Sequence, residues 1–440
     1  MQHYSRKTAS LAGVLFGLVF GLLPQAAWGA GERPAQLKVG VFTFVSGPAA
    51  SYGMPAKNAA DLMFESLNAG GGLAGVRLEP VFVDEAQGTD AVVSEFRRLV
   101  TSRHVPVMIA ALSSANCLAL APVAEQLKTP MIAWNCDTHH LFLKKKYRYV
   151  FRANTSTVPE FVAYAAYLLQ KKADVSRVGI IDPDYAFGHD AAVIFSETLR
   201  RFRPDSKLVV ELYPRLGSPS YSTEISRLLA AHPAVIFTNF WGADLENFVR
   251  QALPRKLFSQ SLAVIALGTT VFEEFGQRFP QGAVVGVLGD GWYHSPAVRA
   301  NPQAQRFIKN YQERFHQVPV FPAFKMANAV LVVEAAYRRA LRENKGQWPD
   351  SERLARALEG LRVKTLTGPL TLRADHDGLT DQIVGVSRNV AGSPYPVMAD
   401  MVRYPGELVT PPVDADPIQW IKTLPADYLE RLPKPGSYGP

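Results

Sequence analysis

The chain has 440 residues, too many for one compact core, so its length predicts two or three domains. Hydrophobic residues make up 48% and charged residues 20%, which is typical of a globular protein and excludes a disordered chain. The formal net charge is +8, but the basic residues are scattered, with the densest groups at 144–148 and 200–203. We therefore expect no nucleic-acid partner.

The first residues have the pattern of a secretory signal peptide. Arg6 and Lys7 supply the positive start, Leu11 to Leu23 the apolar core, and residues 27–29 a small-residue cleavage pattern. The apolar run is short for a membrane span, and no cysteine lies near the cleavage site to carry a lipid. The pattern predicts cleavage after Gly29 and an exported protein.

Strands and helices then alternate through the first part of the chain. Apolar runs predict strands over 37–42, 77–83, 107–112 and 131–134, and helical spacing predicts helices over 52–68 and 91–101. A further helix lies between the last two of these strands. Because parallel strands are joined by helical crossovers, this spacing predicts a doubly wound parallel sheet.

The same alternation recurs from Tyr149 onward, which predicts two α/β lobes and not one long sheet. The second series has predicted strands over 149–152, 178–181, 208–212, 234–238, 262–267 and 283–287, and helices over 159–170, 190–201, 223–231 and 244–252. Three helices follow over 303–315, 323–343 and 351–358, then strands over 370–373, 382–388 and 396–402. The proline-rich tail from Pro405 is expected to wrap the surface.

The stretch from Pro106 to Leu141 carries the predicted ligand site. The turn that contains Ser113 and Ser114 lies where a strand ends and a helix begins, so free N–H groups and the helix dipole favour a negatively charged ligand group there. The next strand brings residues 135–138 to the same carboxyl edge, where open α/β sheets bind ligands. A small molecule is expected at this edge.

The chain has two cysteines, and both fall in this stretch. Cys117 lies in the first turn of the predicted helix and Cys136 follows the next strand. In an oxidising compartment they can form a disulfide, and two buried free thiols remain the alternative, since spacing alone does not give the Cα separation.

Several short patterns match catalytic or cofactor-binding motifs, but the sequence around each of them excludes that function. Gly70, Gly72 and Gly75 satisfy G-x-G-x-x-G, but they close a helix instead of opening one, so no dinucleotide site is predicted. His139 and His140 lie close to Cys136 and Asp137, yet adjacent histidines rarely point at one ion, so no metal is predicted. No nucleophile, base and orienting group are arranged together, so no cofactor and no catalytic residue are predicted.

Five ordered segments carry a resemblance to a known family. They are Ser46-Gly47-Pro48 with Tyr52-Gly53, residues 67–71, Ser114 with residues 121–125, residues 149–152, and residues 184–188 followed by 240–244. From about Leu37 to Arg403 the chain resembles the periplasmic substrate-binding proteins of branched-chain amino acid and amide ABC importers.

The resemblance implies a periplasmic binding protein of type I, with two doubly wound lobes joined by a three-segment hinge that closes on ligand. Lobe one would comprise residues 37–152 plus about 292–367, and lobe two residues 153–291 plus about 368–403, with a tail over 404–440. It also implies a periplasmic location, a small-molecule ligand, and the membrane permease and ATPase subunits of an ABC importer as partners. We expect a monomer.

The family's binding roles fall on particular residues of this chain. Ser114 matches the carboxylate-binding serine, Phe187 matches the tyrosine of a Y-G pair, and Thr269 stands where amino acid binders hold the ligand ammonium with an acid. Cys136 and Asp137 match a strand-end pair that usually ends in threonine. The full predicted ligand set is Tyr52, Ser113, Ser114, Asn135, Cys136, Asp137, Thr138, Phe187, Trp241 and Thr269.

The resemblance favours an amino acid or amide-like ligand. No acid stands at Thr269, so either Asp137 substitutes for it or the ligand carries no ammonium. An aromatic or other carboxylic acid is the alternative ligand, and a ligand sensor the alternative role. An exported α/β enzyme is the weakest reading because no catalytic arrangement is evident.

Overall fold

The first sheet is entirely parallel. The computed structural model describes residues 33–143 and 145–439, and the predicted signal peptide lies outside them. The first elements are β1 (Gln36–Thr43), α1 (Ala50–Ala69), β2 (Arg77–Asp84), α2 (Thr89–Thr101), β3 (Met108–Ile109), α3 (Ser114–Gln126), β4 (Met131–Ala133) and β5 (Val150–Arg152). The strands pair in the order β2-β1-β3-β4-β5.

Strand β3 is shorter than the predicted strand over 107–112. Ala110 N–H still donates to the carbonyl of Ile132 at 3.0 Å. Beyond it, the N–H groups of Leu112 and Ser113 donate to the buried carboxylate of Glu85, at 2.7 and 3.3 Å. The side chain of Glu85 thus replaces a neighbouring strand as hydrogen-bond acceptor.

The second sheet has seven strands. Its elements in chain order are α4 (Thr157–Gln170), β6 (Arg177–Ile181), α5 (Ala186–Phe202), β7 (Lys207–Leu212), α6 (Ser222–Ala231), β8 (Val235–Thr238), α7 (Gly242–Ala252), α8 (Leu257–Gln260), β9 (Leu262–Ile265), α9 (Phe272–Phe275) and β10 (Val284–Gly286). The strand order is β15-β14-β10-β9-β8-β6-β7, in which only the last two strands of the chain, β14 and β15, run antiparallel to their neighbours.

The remaining elements return to the first half, cross again and end on the second. They are α10 (Pro296–Arg299), α11 (Pro302–Phe315), α12 (Phe321–Glu343), α13 (Ser351–Leu358), β11 (Arg362–Lys364), β12 (Pro369–Leu372), β13 (Gly378–Leu379), β14 (Gln382–Arg388), β15 (Val397–Tyr404), α14 (Gly406–Val409), α15 (Pro417–Thr423) and α16 (Tyr428–Arg431). Helix α12 packs on α1. The tail forms three short helices that lie on α4 and α5 and bury Ile421, Leu424 and Leu432.

The predicted α/β class with doubly wound parallel sheets is confirmed. Residues 362–379 join neither of the two larger sheets. They form a small antiparallel sheet, β11-β12-β13, beside the crossing segments.

The crossing segments lie side by side. The chain leaves the first sheet after β5, returns after β10 and crosses once more before β14. Arg152 N–H donates to the carbonyl of His376 at 3.0 Å, and Ile383 N–H donates to that of Gly289 at 2.8 Å. A Cβ at Gly378 would lie 2.1 Å from the carbonyl oxygen of Asn154, so this close approach requires glycine.

Candidate functional site

A small cleft lies between the carboxyl ends of the two sheets. It encloses a cavity of about 10 Å³ between two walls, the room that about one water molecule needs. The first half of the chain supplies the polar wall, which comprises Ser114, Asn135 and Asp137 together with Tyr52 and Leu112. The second half supplies the aromatic wall, which comprises Tyr185, Phe187 and Trp241 together with Leu267.

The first turn of α3 gives the polar wall a hydroxyl donor. Ser113 caps the helix, since its Oγ accepts from Ala115 N–H at 3.2 Å. The Oγ of Ser114 accepts from the N–H of Thr138 at 3.3 Å. Because a serine hydroxyl has one proton to donate, Ser114 can still donate into the cleft beside the positive end of the helix dipole.

The buried carboxylate of Glu85 accepts hydrogen bonds from this turn and so stabilises it. Its side chain is 1% exposed and accepts from Leu112 N–H, Ser113 N–H and the Asn116 side-chain amide. Burial raises the pKa of Glu85 to about 7, against these hydrogen bonds, which lower it. The helix start is therefore held by a carboxyl group that titrates near neutrality.

The two cysteines form a disulfide. Cys117 in α3 and Cys136 after β4 have Cα atoms 5.9 Å apart and are joined across a separation of 19 residues. Of the two alternatives left open by the sequence, the disulfide is the one found. It ties the helix that carries Ser114 to the strand end that carries Asn135 and Asp137.

The aromatic wall is ordered by one hydrogen bond. The indole Nε1–H of Trp241 donates to the hydroxyl oxygen of Tyr185 at 3.0 Å. The Tyr185 proton is then free to be donated towards the cleft. Phe187 packs beside it, with ring centroids 6.2 Å apart.

The two walls touch each other, so the cleft is closed. The rings of Tyr52 and Trp241 meet edge to face with centroids 5.6 Å apart. The N–H of Ala243 at the start of α7 donates to the carbonyl of Pro48 at 3.1 Å. Gly242, at φ +57°, would place a Cβ 3.1 Å from that same carbonyl oxygen.

Asp137 already has a cationic partner in the protein. Lys325 of α12 places its Nζ 3.3 Å from both carboxylate oxygens of Asp137 and 3.6 Å from Glu160 of α4. The side chains of this charge cluster (Asp137, Glu160 and Lys325) are 2%, 1% and 5% exposed. Asn154 also donates to Asp137, at 3.1 Å.

Burial raises the pKa values of the two acids of the charge cluster to different extents. Burial raises the pKa of Glu160 well above its ordinary value, and the nearby charge of Asp137 raises it further. Burial raises the pKa of Asp137 less far, to about 6, and the charges of Lys325 and Arg152 oppose the rise in both acids. We infer that Glu160 keeps its proton at neutral pH while Asp137 is ionised and paired with Lys325.

Six of the predicted ligand residues line the cleft and four do not. Those at the cleft are Tyr52, Ser114, Asn135, Asp137, Phe187 and Trp241. The other four are engaged elsewhere. Ser113 caps α3, Cys136 is in the disulfide, Thr138 donates to Asp190 at 2.6 Å, and Thr269 donates to the carbonyl of Gly286 at 2.9 Å.

Sequence reasoning missed three further lining residues and the cation. Leu112, Tyr185 and Leu267 line the cleft, and Tyr185 supplies a hydroxyl that Phe187 lacks. An aromatic residue in the turn after a strand was a usable signal for Tyr185. Glu160 is the one charged residue of α4, and Lys325 is the one charged residue in the first half of α12. A charge surrounded by apolar residues in this way indicates a buried group that needs a partner.

Two α/β halves that close on a cleft of this kind define a hinged binding protein. The model of the periplasmic binding protein family matches residues 36–387, and the chain belongs to that family.

Curated relatives span most of the chain. It is 21% identical over 340 residues to the Leu/Ile/Val-binding protein of Escherichia coli K12, an alignment that covers 76% of this chain and 86% of that protein. A Leu/Ile/Val-binding protein homolog 3 of Brucella melitensis is 22% identical over 343 residues, covering 77% and 87%.

Solved structures share the fold. A solute-binding protein of an ABC transporter from Rhodopseudomonas palustris BisB5, in complex with 3,4-dihydroxybenzoic acid, superposes with a TM-score of 0.74 at 22% identity, covering 87% of this chain and 100% of that one. A leucine-binding protein LivK from Thermotoga maritima gives 0.68 at 18%, covering 83% and 98%.

The family is one of solute-binding proteins of ABC transporters, not of enzymes, and its members are periplasmic. Such proteins take a small-molecule ligand and work with a membrane transporter. Within the described residues, no helix is both long enough and apolar enough to cross a bilayer.

Proposed function

We propose that the chain, after removal of a signal peptide, binds a small carboxylic acid with an aromatic or apolar body and delivers it as a monomer to an ABC importer. The ligand carboxylate would accept from the hydroxyls of Ser114 and Tyr185. The ligand body would lie against Phe187, Trp241 and Tyr52. The protein would perform no chemistry on its ligand.

One observation carries the choice of ligand. An amino acid needs an anionic partner for its ammonium group, and a buried charge without a partner is costly. Asp137 is the one carboxylate among the residues that line the cleft, and Lys325 already occupies it at 3.3 Å. Thr269, at the position expected to face an ammonium, donates to a backbone carbonyl instead. The cleft thus favours an acid without an amino group.

An aliphatic amino acid is the second candidate. The curated relatives named for leucine, isoleucine and valine favour it, as does the position of Asp137 on the cleft. Binding would then require Lys325 to share Asp137 with the ligand ammonium. Ligand affinities discriminate the two candidates directly.

The test is titration calorimetry of the ligand-free protein with benzoate, benzamide, leucine and phenylalanine. We expect benzoate to bind, and benzamide, which has the same ring without the charge, to bind at least tenfold more weakly. Ser114→Ala should reduce benzoate affinity by about 1–3 kcal/mol, the range for leaving a charged group short of a donor, and should leave benzamide nearly unchanged.

Ser113→Ala is the matched control at the same helix start. It removes the cap of α3 and should lower stability by about 1 kcal/mol while leaving benzoate affinity intact. Binding of leucine with no binding of benzoate would replace the aromatic-acid proposal with the amino acid candidate. Equal losses in the two serine variants would refute a direct contact from Ser114.

A further inference from the structure

Three side chains with metal-ligating atoms meet outside the cleft. His139 and His140 lie in the turn after β4, and Asp190 lies in α5 of the other half of the chain. The Nδ1 of His139 is 3.4 Å from Oδ2 of Asp190, and the Nε2 of His140 is 3.1 Å from its Oδ1. Among the described residues this is the one group of three such side chains, with all ligand atoms within 4.8 Å of one another.

The sequence predicts no metal here, because adjacent histidines rarely point at one ion. In the structure the two rings lie with centroids 4.3 Å apart at an interplanar angle of 32°, and both face one carboxylate. The third ligand comes from a residue 50 positions later in the chain. No local spacing in the sequence could have indicated it.

The geometry suits a small divalent ion. An ion bound about 2.1 Å from each atom joins ligand atoms up to about 4.2 Å apart, so both histidine–aspartate pairs already fit. Two imidazoles and one carboxylate suit borderline ions such as Zn²⁺, whereas Mg²⁺ and Ca²⁺ require oxygen ligands. Three protein ligands leave a position for water.

The surroundings hold the carboxylate in place and leave the site reachable. Asp190 is 6% exposed and accepts from the hydroxyl of Thr138 at 2.6 Å, the kind of outer hydrogen bond that orients a metal ligand. The side chain of His140 is 51% exposed, so an ion can enter from solvent. Thr157 lies 3.1 Å from the Nδ1 of His139 and would have to release that nitrogen.

We propose that His139, His140 and Asp190 form a binding site for Zn²⁺ or a similar borderline divalent ion that bridges the two halves of the protein. The ion would join the turn after β4 to α5 only when the halves meet. An ion bound there would therefore stabilise the closed arrangement.

The experiment uses the mature protein without a histidine tag and without any cleft ligand. Titration with Co²⁺, a spectroscopic substitute for Zn²⁺, should give visible absorption bands that saturate at one ion per chain and disappear when Zn²⁺ is added. Zn²⁺ should raise the apparent melting temperature in proportion to the logarithm of its concentration. His140→Ala should weaken Co²⁺ binding at least tenfold.

Two further variants make the result specific. Asp190→Asn, made in the other half of the protein, should also weaken binding at least tenfold, and its melting temperature without metal shows whether it folds. His189→Ala is the control, because the ring of His189 lies on the surface, paired with Asp184 at 2.9 Å and against Tyr213. It should bind Co²⁺ as the wild type does. The proposal fails if Co²⁺ does not saturate at one ion per chain, or if either His140→Ala or Asp190→Asn binds Co²⁺ as tightly as the wild type.

Discussion

The polar wall and the aromatic wall of the cleft are built by different means. The polar wall depends on long-range polar support, with Glu85 under the helix start, a disulfide behind it, and Lys325 from a distant helix paired with Asp137. The ring side chains of the aromatic wall share one hydrogen bond, from Trp241 to Tyr185, and are otherwise held by packing.

This difference between the two walls suggests that one discriminates ligands by charge and the other accommodates their shape. Charges and hydroxyls that are fixed from several directions can reject a ligand with the wrong charge, because a mismatch leaves a buried group unpaired. Rings that pack on a ligand tolerate changes of its shape at about 1–3 kcal/mol for each methylene. We therefore expect the polar wall to set the chemical class of the ligand and the aromatic wall its affinity.

Removing the cation of the charge cluster should have the largest effect. Lys325→Met leaves Asp137 buried with a single amide donor, so it should lower the free energy of unfolding by about 3–5 kcal/mol, measured by urea denaturation. The double variant Lys325→Met with Asp137→Asn should recover most of this loss, since no unpaired charge remains.

A surface ion pair provides the control. Arg148 and Glu352 lie 2.8 Å apart but are 43% and 45% exposed, so Arg148→Met should cost about 1 kcal/mol or less. If Lys325→Met is no more costly than Arg148→Met, the buried pair does not organise the polar wall.

Glu85 should give the polar wall a pH dependence that the aromatic wall lacks. Its pKa is raised to about 7 in the folded protein, so the folded state holds a proton that the unfolded state releases near its ordinary value. The contribution is complete below about pH 4.5 and is lost as pH rises through about 7. Its full size is about 3–4 kcal/mol, at about 1.4 kcal/mol for each pKa unit of the rise.

Glu85→Gln should therefore flatten the fall in unfolding free energy between pH 5 and pH 8 relative to the wild type. Glu65→Gln, a substitution of the same kind at an exposed site, should leave the slope unchanged. Parallel slopes for Glu85→Gln and the wild type would show that Glu85 does not carry this proton.

The hydrogen bond in the aromatic wall should have the smallest effect. Trp241→Phe removes the donor to Tyr185 and should weaken benzoate binding by about 1 kcal/mol. Tyr185→Phe also removes the hydroxyl proposed to donate to the ligand carboxylate, so it should weaken binding by about 1–3 kcal/mol. Because both variants remove the same bond, the double variant should lose less than the sum of the two single losses. Strict additivity in titration calorimetry would show that this bond does not orient the wall.

Much of the fold was predictable because its signals are local. Apolar runs and helical spacing predicted elements such as α13, over residues 351–358, and the anion-friendly turn at Ser114 follows from a strand that meets a helix. Strand β3 was overestimated, because an apolar run does not show where a glutamate 27 residues away replaces the sheet as acceptor.

The chemistry of the site was less predictable because its partners are distant. Asp137 and Lys325 are 188 residues apart, so the sequence shows an unpaired acid where the fold has an ion pair. The same limit explains Asp190, which meets its histidines only when two halves of the chain come together. Pairings across the hinge depend on the closed arrangement and have no local sequence pattern.

Gly242 has a mechanical consequence for closure. It stands where α7 meets the carbonyl of Pro48, at a φ of +57° and with 3.1 Å available to a Cβ. A larger side chain at residue 242 would collide with the carbonyl of Pro48 and hold the two halves of the protein apart without touching the ligand. Enlarging residue 242 should therefore favour a form of the protein in which the two halves stay partly open.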